Sequence, residues 1–159
     1  MPRHTRAEAM TTILALFLAA STCPATASFP PAGSCHYTGD AGTDPDPACT
    51  PGEFDPDLTV AQLCSEGQSR RCKDNPAVAR AYSARPGGED DHFVPLCAGG
   101  TNGPKNRWQQ PAAEFRHKDV VEAAACRGIC NGTLSLDAAR AMIRDWREAY
   151  KRLKQRSSK

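Results

Sequence analysis

The chain has 159 residues, enough for one domain with a real core and too few for two. Aromatic residues make up 6% and prolines number 13, which excludes a large aromatic core and points to a small, loop-rich one. The net charge of +2 conceals an asymmetry: residues 28–103 carry 5 basic and 11 acidic residues, whereas residues 104–159 carry 13 basic and 6 acidic.

The N-terminus reads as an export signal over residues 1–27. Arg3, His4 and Arg6 form a basic start, and Met10 to Ala20 is an apolar stretch of h-region length. "ATA" at Ala25 to Ala27 is a cleavage site of the Ala-x-Ala kind, so the mature chain is expected to begin at Ser28. A membrane anchor is the alternative, but the stretch falls well short of the ~20 residues that span a bilayer, so no stable membrane span is expected. Acylation of Cys23 is a weaker alternative, because Thr22 stands where a small Gly or Ala is wanted. The expected location is secreted or periplasmic.

Eight cysteines in an exported chain argue for disulfides. Cleavage after Ala27 leaves seven (35, 49, 64, 72, 97, 126 and 130), so either one thiol is free or paired between chains, or cleavage does not fall after Ala27. A zinc-bound, Cys-rich module is the competing use. The sequence has no CxxC pair, which argues against zinc-ribbon chemistry.

Residues 28–57 hold six prolines and no periodic apolar pattern, which predicts an irregular segment pinned by Cys35 and Cys49. The remainder, 58–159, is expected to form the folded domain. "LTVAQLC" reads as a short extended or turn region. Asn75 and Pro76 supply a cap and a first turn for a short helix through Ser83. "HFVPL" reads as a short strand and "AGG" as its turn. Pro111 precedes a helix predicted from Ala112 to about Cys126, closed by Gly128. A last helix is capped by Ser135, and Ala139, Met142, Ile143, Trp146, Tyr150 and Leu153 recur along it at helical steps, which marks a core stripe. Its basic end, "KRLKQRSSK", suits a polyanionic partner; a solvated helix end is the alternative.

Four stretches then stand in a telling order: "DHFVPLCAGG", "NRWQQP", "HKDVVE" and "CNGTLSLDAARAMIRDW". Over roughly residues 50 to 150 the chain resembles the HNH, or ββα-metal, nuclease family, and within it the small exported HNH-like proteins. The resemblance implies an α+β fold with a ββα-metal core and flanking helices. It also implies a metal-dependent endonuclease that hydrolyses DNA or RNA with little sequence specificity. The cofactor it implies is a divalent ion, Mg²⁺ first, with Mn²⁺ and Zn²⁺ as the other candidates.

Under the resemblance Asp91 binds the metal and His92 is the general base, a role suited to an imidazole with an ordinary pKa of about 6.5. The second metal ligand comes from the following helix, either His117 by residue type or Asp119 by its place in the pattern, with Glu122 one turn later. Two residues apart on a helix point about 200° from each other, so only one of the two serves the ion. Asn106 bonds to loop backbone and fixes the turn that presents His92. Lys105, Arg107, Arg116 and Lys118 touch the nucleic-acid backbone.

Other residues support this frame. Trp108 is expected to pack the loop on the core, and Gly99 and Gly100 to take positive φ. Cys97 departs from the family pattern; it pairs with Cys126 or Cys130, or is the odd thiol. The rival readings are a surface Asp91–His92 pair with no metal and, for the whole chain, a catalytically inactive, disulfide-stapled exported binding or structural domain of HNH-like shape.

Overall fold

The computed structural model describes residues 28–66, 70–83 and 86–158, so the expected signal segment lies outside the described residues. The fold is α+β. In chain order the elements are α1 (Val60–Glu66), α2 (Pro76–Ala81), β1 (Glu89–His92), β2 (Arg107–Gln110), α3 (Phe115–Cys130), α4 (Leu136–Arg144) and α5 (Trp146–Ser157). Two 3₁₀ turns, Leu96–Ala98 and Pro104–Asn106, lie between the strands. Among the described residues no helix is long and apolar enough to cross a membrane.

Residues 28–57 contain isolated bridges but no helix or longer strand. The Cys35–Cys49 disulfide closes the segment on itself. Cys35 then packs with Ala81, Tyr82 and Trp108, which seats the segment on the domain. The stretch read as extended, "LTVAQLC", is instead the start of α1. Thr59 Oγ1 accepts from the Gln62 backbone N–H at 3.3 Å, and Gln62 Oε1 accepts from the Thr59 N–H at 3.0 Å. That reciprocal capping box, together with burial of Leu63 at 1% exposure, favours the helix. For α2, Asn75 caps Ala77 N at 2.9 Å, and the helix ends two residues before Ser83.

The two strands pair antiparallel, with His92 opposite Arg107 and Asp91 opposite Trp108. The predicted strand "HFVPL" is out of place: the strand is "EDDH", and the chain turns at Phe93. Val94 leaves the ladder because both its N–H and its carbonyl bond to the Asn106 side chain instead. Gly99 has φ +88, as expected, whereas Gly100 does not need positive φ. A Cβ at Gly100 would collide with the Val94 carbonyl, so close packing requires glycine there.

α3 begins three residues later than predicted and runs four residues further. Gly128 lies inside it rather than closing it, and glycine is needed there because a Cβ would come within 2.6 Å of Leu134 Cδ1. Gly132, with φ +75, follows the helix end. The single last helix of the sequence reading is two helices, broken at Asp145. The break lets Ala139 and Ile143 pack on Ala125 and Ile129 of α3 while Trp146 and Ala149 pack on Val121.

Cys64–Cys130 joins α1 to the end of α3, and Cys97–Cys126 joins the 3₁₀ turn after β1 to the middle of α3. Cys72 is also disulfide-bonded. The odd free thiol does not appear among the described residues. Disulfides of this number fit an oxidising compartment.

Candidate active site

The site forms where the end of β1 meets the first turn of α3. Alternation along β1 buries Asp90 and His92 and leaves Glu89 and Asp91 half-buried. Asp90 is structural: Arg107 Nε donates to its Oδ1 at 2.9 Å and Nη2 to its Oδ2, while the Asn75 N–H donates to Oδ2 at 2.7 Å. Arg107 is only 4% exposed and is committed to this pair. Its expected contact with a phosphate backbone is therefore corrected, because nothing presents its guanidinium outward.

His92 Nε2 lies 2.9 Å from Asn102 Oδ1. The Asn102 amide is itself oriented, because its Nδ2 donates to the Arg70 carbonyl at 2.6 Å. The amide oxygen therefore faces the imidazole, and Nε2 carries the proton. The lone pair is left on Nδ1, which makes no hydrogen bond among the described residues. His92 as a whole is 6% exposed. Burial lowers its pKa, with Asn102 and Asp91 opposing and Arg107 and Lys118 adding to the fall, which favours the neutral ring.

Asn106 is fully buried. Its Oδ1 accepts from Val94 N at 2.8 Å, and its Nδ2 donates to the Val94 and Thr101 carbonyls at 2.8 and 2.9 Å. One side chain thus clamps the loop after His92 to the entry of β2. Arg140 of α4 supports the same loop, with Nε donating to the Ala98 carbonyl at 2.9 Å.

The helix group that reaches Asp91 is neither His117 nor Asp119 but Lys118. Its ammonium donates to Asp91 Oδ2 at 2.6 Å, to the His92 carbonyl at 2.7 Å and to Glu122 Oε1. Lys118 is 0% exposed, which corrects its expected role as a surface phosphate contact. Burial alone would lower its pKa, but the adjacent Asp91 and Glu122 carboxylates more than offset this and raise it. Burial pushes Glu122 up to about 7, with Lys118 drawing it down and Asp91 and Asp119 adding to the rise. Glu89 and Asp119 are raised as well, first by partial desolvation and then by neighbouring carboxylates, Asp91 among them. The sequence carried a signal for Lys118: with Val121, Ala125 and Ile129 it continues the buried stripe of α3.

His117 turns the other way and stacks on Tyr150 of α5, ring centroids 4.3 Å apart and planes 30° apart. Asp119 is exposed, as are Arg116 and Lys105. Among the described residues no three His, Cys, Asp or Glu side chains gather as a metal-binding group. Asp91 and His117 therefore do not share a centre, and the position beside Asp91 already holds an ammonium. The residues present do not fit a divalent ion at this point.

No protein-family model, curated protein or solved structure matches the chain.

Proposed function

We propose that the chain is an exported hydrolase of phosphodiester bonds in DNA or RNA, built on a ββα core with His92 as its general base. The observation that carries the reading is the His92–Asn102 contact of 2.9 Å, which fixes the tautomer and leaves Nδ1 as the proton acceptor. A neutral imidazole held in one orientation takes a proton from water as the water attacks phosphorus. The order β1, clamped loop, β2, α3 supports the same reading, since Asn106 holds the loop at the end of which His92 sits. The exposed cations Lys105 and Arg116 supply contacts to a phosphate backbone that read no sequence. No step is assigned to a metal, because the residues around Asp91 do not fit one.

A second reading, an exported disulfide-stapled binding or structural domain without catalysis, is favoured by the 6% exposure of His92. Cleavage of supercoiled plasmid and of single-stranded RNA separates the two. Wild type and His92→Ala are run side by side in Mg²⁺, in Mn²⁺ and in EDTA. Cleavage by wild type that falls about 100-fold or more in the variant supports the hydrolase. Equal cleavage by both proteins, or none by either, leaves the non-catalytic domain.

A further inference from the structure

We infer that Lys118 is the resident cation of this site: its ammonium takes the place beside Asp91 that the resemblance gives to a divalent ion, and it holds His92 in position. This inference stands whether or not the chain cuts phosphodiester bonds.

The geometry is that of a filled seat. An ammonium has three N–H donors, and here each meets an oxygen: Asp91 Oδ2 at 2.6 Å, the His92 carbonyl at 2.7 Å and Glu122 Oε1. Two carboxylates and a backbone carbonyl are also the oxygen donors that a hard divalent ion takes. The seat is closed, since Lys118 is fully buried. A second cation entering beside it would meet both the bulk of the side chain and the repulsion of a like charge at short range.

The charge count points the same way. With Glu122 ionised, above its pKa of about 7, Asp91 and Glu122 bring two negative charges and Lys118 one positive charge, so a net charge of −1 remains while the lysine is present. Removing the ammonium leaves −2, which matches one divalent ion. Truncation of Lys118 therefore opens a cation site of defined composition: Asp91, Glu122 and the His92 carbonyl. In the intact chain Lys118 acts as a positioning residue, because its bond to the His92 carbonyl ties the end of β1 to α3.

Trp108 stands opposite Asp91 in the hairpin and serves as a built-in antenna for a lanthanide bound there. The test measures thermal unfolding with and without Mn²⁺, and Trp-sensitised Tb³⁺ emission, for wild type, Lys118→Ala and Lys118→Met. Wild type is expected to melt at the same temperature in EDTA and in Mn²⁺ and to show no sensitised emission. Lys118→Ala is expected to gain emission, and its Tm to rise by about 5–10 °C at about a hundredfold excess of Mn²⁺ over Kd. Lys118→Met removes the charge but fills the space, and is expected to gain neither response. A folded Lys118→Ala without a metal response overturns the inference. So does a Mn²⁺-induced rise in wild-type Tm that Asp91→Asn abolishes. If Lys118→Ala does not fold, the wild-type and Asp91→Asn arm decides alone.

Discussion

The Lys118 ammonium and the His92 carbonyl oxygen lie 2.7 Å apart, which joins the last residue of β1 to the first turn of α3. The same ammonium binds the Asp91 and Glu122 carboxylates, so one buried side chain sets both the charge and the geometry next to the imidazole.

Loss of that ammonium should cost stability. Lys118→Met leaves the largely buried Asp91 carboxylate without its cation, and removing one partner of a buried ion pair costs about 3–5 kcal/mol. Urea unfolding of wild type and variant measures the difference. A change below about 1 kcal/mol, the range of exposed pairs, would contradict a buried triad.

Glu122 should give stability a dependence on pH. Burial raises its folded-state pKa to about 7 from an ordinary value of 4.5. Between those values the folded chain holds a proton that the unfolded chain has released. Glu122 therefore contributes stability at low pH that is lost as pH rises through about 7. Glu122→Gln should remove this fall between about pH 4.5 and 7, read as the difference between the two proteins' Tm-against-pH curves. Parallel curves would count against the raised pKa.

Asn106 should be worth more than a turn asparagine. Asn106→Ala strands the Val94 N–H and carbonyl and the Thr101 carbonyl, which its side chain satisfies at 2.8–2.9 Å. Unsatisfied buried groups cost about 1–3 kcal/mol each, and partial relaxation reduces the sum, so a loss of about 3 kcal/mol is expected by denaturant unfolding. Hydrogen exchange should also quicken at Val94 N, whose acceptor is removed. A variant as stable as wild type would show that the clamp is dispensable.

The Cys64–Cys130 disulfide, with a sequence separation of 66, closes the longest loop among the bridges between described residues. In the chain-entropy model such a loop contributes about 4 kcal/mol. Cys64→Ser/Cys130→Ser should lower Tm markedly, whereas the pair at Cys35 and Cys49, with a separation of 14, should matter less. The reverse ranking in calorimetry would contradict this.

Much of the frame was legible in the sequence. The caps at Asn75 and Ser135, the buried stripe on the last helices and the buried Trp108 each follow from local rules, whereas the pairing of the cysteines does not. The site itself was harder to read. Lysine is read as a surface residue by type, and only the spacing of Lys118 to Val121, Ala125 and Ile129 places it on the buried face. The orientation of His117 depends on α5, whose Tyr150 stacks on it, so residue type and chain position alone do not fix it. The path of α5 depends in turn on the break at Asp145, which no glycine or proline marks. The strand boundary failed for a similar reason. Val94 looks like a strand residue, but a side chain twelve positions away takes its backbone bonds. The short Thr59–Gln62 capping box, by contrast, was readable and would have given α1.

The most direct test of the central claim is the rate of phosphodiester cleavage by the wild-type chain as a function of pH. Because burial lowers the His92 pKa below 6.5, the rate should rise with pH through a value below 6.5 and be level at neutrality. Any residual rate in His92→Ala should lack that inflection. A wild-type profile without it, or an inflection that survives in His92→Ala, would contradict the assignment of His92 as the base.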